Sequence, residues 1–208
     1  DVYIKHEELG YGGFAIVYRV THQATNIDYA MKAIPKSRYK SKKGRNALEK
    51  LKNEVLIQKS LHHPNIVKSY GAFSDANNYY IIIEYCPGNN VKDLLRSKAE
   101  GHFTENETKT ILRDVLRGVI YLHRHKIIHR DLKLENFLYG ADGKVKIADF
   151  GISRHLSCLD EKRFTICGSP LYFSPELLQA QNEGHSFEVD IWALGVCTFI
   201  MLTGSPPF

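Results

Sequence analysis

The stretch at residues 127–139, IIHRDLKLENFLY, sets polar side chains between two apolar ends. Its middle carries a carboxylate, an ammonium and a carboxamide on Asp131, Lys133 and Asn136. Apolar residues on both sides would fix the segment in a core. A surface loop does not need such anchors, whereas a site that holds charges in a fixed geometry does. The stretch therefore predicts a rigid loop that carries a functional site.

The chain reads as a sheet before this loop and mainly as helices around it. Residues 2–35 alternate as strands do, a helical stretch follows over about 45–60, and strand-like runs lie at 66–73 and 79–85. The run PGNN at 87–90 is a turn signal. We therefore predict an α+β, bilobal fold. Its β-rich N-lobe with one helix spans residues 1–83, its hinge 84–90 and its mainly helical C-lobe 91–208.

Two helices of the C-lobe have clear signatures. Thr104 and Glu107 form a capping box before apolar residues that recur at helical spacing. A last helix over about 186–203 is apolar nearly all round, which predicts that it is buried centrally.

Composition limits the functional classes. The net charge is only +5, and no apolar run approaches the roughly 20 residues of a membrane span. The basic run at 36–52 has no aromatic residues arranged for stacking on bases, so we expect no nucleic-acid partner. The four cysteines lack metal-ligand spacing and are too few and scattered for a disulfide framework, which favours an intracellular protein. Within the cell we expect a cytoplasmic location and also a nuclear or centrosomal one. Histidines predicted to be solvent-exposed and not metal ligands are His62, His63, His123 and His125.

Other segments suit phosphate and metal binding. The run GYGGFA at 10–15 lies between two strands, so its glycines would form a hairpin turn that an anion can approach closely. Lys32 lies in an apolar strand, and Glu54 of the following helix is a plausible partner. Asp149 begins a second polar block, DFG. Carboxylate and carboxamide oxygens are ligands that Mg²⁺ prefers, completed by phosphate oxygens and water.

Together these segments resemble the signature of the eukaryotic protein kinases. The matching elements occur in family order along essentially the whole chain. They are GYGGFAIV at 10–17, AMK at 30–32, Glu54, HRD at 129–131 with Asn136, DFG at 149–151, SPE at 174–176, and the Asp190, Trp192 and Gly195 pattern.

The resemblance implies a protein kinase that uses ATP and Mg²⁺. Asp131 would orient and deprotonate the substrate hydroxyl, and Lys133 would contact the γ-phosphate. Lys32 would hold the α- and β-phosphates and pair with Glu54. Asn136 and Asp149 would bind Mg²⁺. The implied nucleotide contacts are Gly10, Tyr11, Gly12, Gly13, Phe14, Ala15, Val17, Ala30, Lys32, Ile83, Glu84, Cys86 and Leu138.

Within the family the chain is most similar to serine/threonine kinases. Lys133, two residues after Asp131, and Ser169 in CGSP match that class. The runs LGYGGFAIVY, TICGSPLYFSPE and GHSFEVDIWALG resemble polo-like kinases most, although aurora-like and calcium/calmodulin-kinase-like groups stay open. The resemblance also places Ser169 and Glu176 in the peptide-binding platform.

The resemblance further implies regulation by an upstream activating kinase. Thr165 lies where polo-like kinases carry their activating phosphate, and Arg130 with Arg154 would form a basic pocket for it. The expected partners are protein substrates with Ser or Thr, without membrane insertion.

Two alternatives to an active protein kinase stay open. The first is a catalytically silent kinase fold that acts as a scaffold or allosteric module. Polar residues at Gln58 and Ser69, and a C-lobe that looks truncated after the 186–203 helix, leave room for it. The retention of Lys32, Glu54 and Asp131 with both metal ligands argues against it. The second is a small-molecule phosphotransferase, which the SPE element disfavours.

Overall fold

A computed structural model of the protein describes residues 2–12, 15–39, 55–158, 161–179 and 184–208. Gly13, Phe14, Glu54 and most of the basic run lie outside the described residues. The chain forms two compact units. The first comprises Asp1–His62 and Val67–Pro87, and the second comprises His63–Ile66 and Gly88–Phe208.

The first unit is built on one antiparallel sheet. Its strands are β1 Tyr3–Gly12, β2 Ala15–His22, β3 Ile27–Pro35, β4 Ser69–Ser74 and β5 Asn78–Glu84. They lie in the order β1-β2-β3-β5-β4. The strands that the sequence predicts are confirmed, and the β1–β2 hairpin closes with Gly12 opposite Ala15.

Alternation along these strands gives the sheet two different faces. On one face Ala15, Ile34 and Ile81 are buried and pack with Val55. Val55 belongs to the helical residues 55–60, which are the described part of the helix predicted at 45–60. The other face buries a second apolar cluster under tyrosine rings. It contains Val20, Met31, Ile82, Tyr3, Tyr18, Tyr29 and Tyr80.

The two polar residues singled out in this unit are both buried. The Gln58 side-chain amide donates to the Val67 carbonyl at 3.3 Å. The Ser69 hydroxyl has no hydrogen-bond partner among the described residues. Burying an unpaired hydroxyl costs free energy, so Ser69 weakens the packing at this point.

The second unit is mainly helical. Its helices and strands are α1 Val91–Arg96, α2 Glu105–Arg124, β6 Ile127–Ile128, β7 Phe137–Tyr139, β8 Val145–Ile147, β9 Arg154–His155, α3 Pro175–Leu178 and α4 Glu188–Thr203. The short strands pair as β6 with β9 and β7 with β8, and single 3₁₀ turns lie at Leu134–Asn136 and Pro170–Tyr172.

Helix α2 begins at the capping box that the sequence predicts. The Thr104 hydroxyl accepts from the Glu107 amide, and the Glu107 carboxylate accepts from the Thr104 amide at 2.9 Å. A hydrogen bond from Lys98, together with those from Thr104, lowers the pKa of Glu107 to about 2. The cap therefore stays intact throughout the neutral range.

Helix α4 differs in part from its prediction. The prediction of central burial is wrong for the face of Ile191, Phe199 and Leu202, which are 55%, 45% and 38% exposed. The opposite face is buried and includes Asp190. The helix ends at Gly204, whose φ of 74° suits glycine. In the described part of the chain no helix is long and apolar enough to span a membrane.

Two helical glycines provide a matched test of packing in the second unit. A Cβ on Gly118 of α2 would lie 2.9 Å from the Asn65 carbonyl and 2.8 Å from the Ile147 side chain, whereas Gly195 of α4 has no heavy atom within 4 Å. Alanine favours a helix over glycine by about 1 kcal/mol, and overpacking costs about 1–3 kcal/mol. We expect Gly195→Ala to raise the free energy of unfolding by about 0.5–1 kcal/mol. We expect Gly118→Ala to lower it by about 1–2 kcal/mol.

Urea denaturation of the two variants beside the unchanged protein measures both effects. A stabilising Gly118→Ala substitution would contradict the close approach of α2 to residue 65.

Candidate active site

The loop at 129–136 is held at both ends by buried apolar residues. Ile127 and Ile128 of β6 precede it, Phe137 of β7 follows it, and Leu132 and Leu134 within it are also buried. The apolar flanks seen in the sequence therefore anchor the loop, and its polar side chains project from a fixed backbone.

A buried carboxylate on α4 fixes the start of this loop. Asp190 has no exposed surface, and its two oxygens accept hydrogen bonds from the backbone amides of His129 at 2.9 Å and Arg130 at 2.8 Å. Arg130 adopts a φ of 68°, an unfavourable conformation for this residue. The sequence motif that contains Asp190 does not indicate this role, and no local pattern around residue 130 reveals it.

The exposure of His123 differs from the prediction. Its side chain was predicted to be solvent-exposed, yet it is only 19% exposed and its Nε2 lies 2.9 Å from Asp190 Oδ2. The prediction was wrong because a spacing near a helix end does not show which α4 residue faces it. His62 and His125 are exposed as predicted, and His63 is half-buried against Tyr121.

No cluster of three or more His, Cys, Asp or Glu that could hold a metal occurs among the described residues.

His129 joins the loop to the DFG segment. Its Nε2 donates to the Ala148 carbonyl at 3.1 Å, and its Nδ1 accepts from the Asp131 amide at 3.3 Å. A carbonyl can only accept and an amide can only donate, so these bonds place the ring hydrogen on Nε2. Phe150 packs edge-on against this ring at 5.0 Å and is buried. Because His129 contacts both Ala148 and Phe150, Asp149 between them is held near the loop at 129–136.

Asp131, Lys133 and Ser169 form a closed polar network. Lys133 Nζ lies 2.9 Å from Asp131 Oδ2 and donates to Ser169 Oγ at 2.9 Å. Ser169 Oγ in turn donates to Asp131 Oδ1 at 2.8 Å. The Asp131 side chain is 13% exposed. The network therefore fixes a carboxylate and an ammonium side by side, with the carboxylate still accessible from solvent.

Gly168 brings Ser169 into this network. Its φ of 113° suits only glycine, and a Cβ there would lie 2.6 Å from the Arg130 carbonyl. The segment that carries Ser169 can therefore lie directly on the loop at 129–136.

Asn136 and Asp149 have the donor groups that Mg²⁺ prefers. The Asn136 side-chain nitrogen donates to the Asp131 backbone carbonyl at 2.8 Å, so the side-chain oxygen is the atom that could coordinate a metal. The backbone carbonyl of Asn136 accepts from the backbone amide of Ala148, the neighbour of Asp149, at 2.9 Å. Asp149 is exposed and adopts a φ of 61°. One carboxylate and one carboxamide fit a Mg²⁺ ion that takes its other ligands from phosphate and water.

The residues of the first unit that are predicted to contact the nucleotide, where the structure describes them, lie on the sheet or directly after it. Val17 faces Lys32 across β2 and β3, and Ala30 faces Ile83 across β3 and β5. Their register places these four side chains on one face of the sheet, the face that also packs against Val55. Gly10 and Tyr11 lie on β1, Gly12 ends it, Ala15 begins β2, Glu84 ends β5, and Cys86 follows. Gly13, Phe14 and Glu54 fall outside the described residues.

The remaining predicted residues lie in the second unit. Leu138 is on β7, and Glu176 is exposed in the first turn of α3. Thr165 is exposed. The buried Arg130 guanidinium donates to the Ile152 carbonyl through Nε at 2.8 Å and also through Nη2. Burial lowers the pKa of Arg130, and the nearby charges of Arg154 and Arg163 lower it further.

The family model for the protein kinase domain matches residues 3–208. The chain belongs to the protein kinase family. The α+β kinase fold predicted from the motifs is thereby confirmed.

Curated relatives of this kinase domain carry polo-like kinase names. Cell cycle serine/threonine-protein kinase CDC5/MSD2 of Saccharomyces cerevisiae is 40% identical over 96% of this chain and 28% of its own length. Serine/threonine-protein kinase PLK2 of Mus musculus is 43% identical over 99% of this chain and 29% of its own length. Serine/threonine-protein kinase PLK4 of Xenopus laevis is 40% identical over 96% and 21%. The predicted similarity to polo-like kinases is confirmed, and the chain spans less than a third of each relative.

Proposed function

We propose that this domain is a protein serine/threonine kinase that transfers the γ-phosphate of Mg·ATP to Ser or Thr hydroxyls. The observation that carries the proposal is the network of Asp131, Lys133 and Ser169 on an anchored loop. Phosphoryl transfer needs positioned charges more than covalent chemistry, and this network supplies both signs of charge in fixed geometry. The relatives named as serine/threonine kinases support the choice of hydroxyl.

In the proposed reaction Asp131 acts as the general base. The substrate oxygen forms a bond to the γ-phosphorus as the bond from that phosphorus to the β–γ bridging oxygen breaks, and ADP leaves. The hydroxyl proton passes to the Asp131 carboxylate. Ser169, Lys133 and the Asn136 amide occupy only part of that carboxylate's accepting capacity, so it can still receive a proton.

Cations offset the charge of the phosphates. Lys133 lies beside the Asp131 carboxylate and would stabilise charge on the transferred group. Lys32 would hold the α- and β-phosphates, with Glu54 as its partner. Asn136 and Asp149 would hold Mg²⁺, which neutralises phosphate charge when bound. Ala30, Ile83 and the other nucleotide residues named above would form the adenine and phosphate contacts.

The substrates we propose are intracellular proteins, because ATP is an intracellular metabolite. The platform that binds the peptide substrate would include Ser169 and Glu176.

Transfer of labelled phosphate from Mg·ATP to casein tests this function directly. We expect the unchanged chain to transfer phosphate, and Asp131→Asn to reduce the rate at least about a hundredfold because the general base is lost. Asp149→Ala should abolish transfer, because it removes a proposed metal ligand. Asp142→Ala, at an exposed position away from the loop, serves as the control and should leave the rate unchanged.

Nucleotide binding in the same samples separates the outcomes. Binding without transfer by the unchanged, folded chain would favour the silent-scaffold alternative.

We also propose that phosphorylation of Thr165 activates the domain. Thr165 is exposed, and the nearby sequence carries Arg163, whose Nη2 donates to the carbonyl of His155 at 3.0 Å, next to Arg154. Arg130, Arg154 and Arg163 are close enough that their charges interact. A phosphate would relieve this repulsion and gain charge-assisted hydrogen bonds.

Substitution at Thr165 with and without charge tests the switch. We expect Thr165→Asp to transfer phosphate at least about fivefold faster than Thr165→Asn, because one charged hydrogen bond contributes about 1.5–3 kcal/mol. Thr110→Asp, on an exposed position of α2, is the control for added charge. Equal rates for the Asp and Asn variants at position 165 would contradict the proposed pocket.

A further inference from the structure

A buried histidine contacts the segment that carries Thr165. His185 has no exposed surface, and its backbone pairs with that of Arg163 through two hydrogen bonds of 2.7 and 2.8 Å. The contact is tight, since a Cβ on neighbouring Gly184 would lie 2.8 Å from the Lys162 Cβ and 3.0 Å from the Phe164 ring. We call this contact, residues 162–164 with 184–186, the clamp.

The side chains of the clamp have unused polar groups. Neither ring nitrogen of His185 has a hydrogen-bond partner in the part of the chain that the structure describes, and the same holds for Arg163 Nε and Ser186 Oγ. A buried donor without a partner costs about 1–3 kcal/mol, so such a group in a native structure needs an explanation. Packing alone does not explain His185, because an apolar ring would pack there at lower cost.

The surroundings of His185 favour the neutral ring. Burial lowers the pKa of His185, and the nearby charges of Arg130 and Lys162 lower it further. Glu188 and Asp190 on α4 oppose this effect. Both carboxylates are already engaged, Glu188 by Lys162 and the Ser186 amide, and Asp190 by the catalytic loop. A proton on His185 would therefore place a charge among cations, without a free carboxylate to pair with it.

The clamp holds one end of the stretch at 163–169. At the other end, Gly168 lies against the Arg130 carbonyl and Ser169 donates to Asp131. Exposed residues, among them Thr165, lie between the two attachments. Release of the clamp would free the upstream end of this stretch, while Gly168 and Ser169 still hold its other end.

We propose that His185, in its neutral form, is a positioning residue that anchors the upstream end of the Thr165 stretch and releases it on protonation. The proposal rests on the proposed kinase function only for its consequence, which is weaker support of Ser169 at Asp131 in acid. The clamp itself is a property of the folded chain and can be measured without catalysis.

The direction of the pH effect follows from the folded ring being harder to protonate than the unfolded one. As the pH falls below about 6.5, the ordinary value for histidine, the unfolded state binds the proton first. The contribution of His185 to stability is therefore complete above about pH 6.5. Below that value the contribution declines, and the equilibrium constant for unfolding rises by up to about tenfold per pH unit.

Hydrogen exchange of the full chain tests the clamp. We compare protection factors of the amides at 161–168 at about pH 7.5 and about pH 5.5, the range in which histidine changes charge. The unchanged protein should lose up to about tenfold protection there in acid, since pH 5.5 lies about one unit below the ordinary pKa of histidine. His185→Phe should keep its protection at both pH values, because phenylalanine fills the site, cannot take up a proton and removes no hydrogen bond. His125→Phe, on an exposed ring, should behave as the unchanged protein.

Equal pH dependence in the unchanged protein and His185→Phe would overturn the proposal, and so would full protection of the unchanged protein in acid. If His185→Phe does not fold, the ring pKa of His185 in the unchanged protein, measured by nuclear magnetic resonance, decides the matter. A pKa well below 6.5 with loss of protection on titration supports the clamp, and an ordinary pKa overturns it. None of these readouts requires phosphate transfer, so a failure of the kinase function would be seen separately.

Discussion

The second unit depends on the carboxylate of Asp190 and the two backbone amides that it accepts. Asp190 is fully buried in α4, and it fixes His129 and Arg130 at the start of the catalytic loop. A buried charge is stable only when its hydrogen bonds are satisfied, and here amides that a tight turn leaves without partners satisfy it. The left-handed conformation of Arg130 is maintained by the same contact. From that point the loop delivers Asp131 and Lys133 to one place.

The polar residues of this loop were visible in the sequence because chemistry constrains their spacing. Asp131, Lys133 and Asn136 were identified as one set, and the structure brings them together with Ser169. The strands of the first unit were equally clear, since their alternation is regular. The capping box of α2 was also correct in detail, because its two residues lie within one turn. These features depend on neighbours that are close in sequence.

The features that the sequence did not reveal depend on distant partners. The contact of His123 with Asp190 joins residues 67 positions apart, and neither local pattern indicates it. Central burial of helix α4 was predicted from its apolar sequence, yet composition does not show which face a neighbour covers, and Ile191 and Phe199 are exposed. The close approach of Gly168 to Arg130 likewise requires the folded backbone. Tertiary pairing decides these points, and a one-dimensional pattern does not contain it.

The Asp190 carboxylate sets the geometry in which Asp131 would act in the proposed phosphate transfer. The most direct measurement is the turnover number and the nucleotide dissociation constant of Asp190→Asn, with amide exchange at His129 and Arg130 as the structural readout. A carboxamide has one accepting oxygen, so one of the two amides would face a donor. We predict a folded protein with faster exchange at one of these amides, turnover at least about tenfold lower and little change in nucleotide affinity, since tenfold corresponds to about 1.4 kcal/mol of transition-state stabilisation. A folded Asp190→Asn variant with unchanged turnover and unchanged exchange at both amides would contradict the claim.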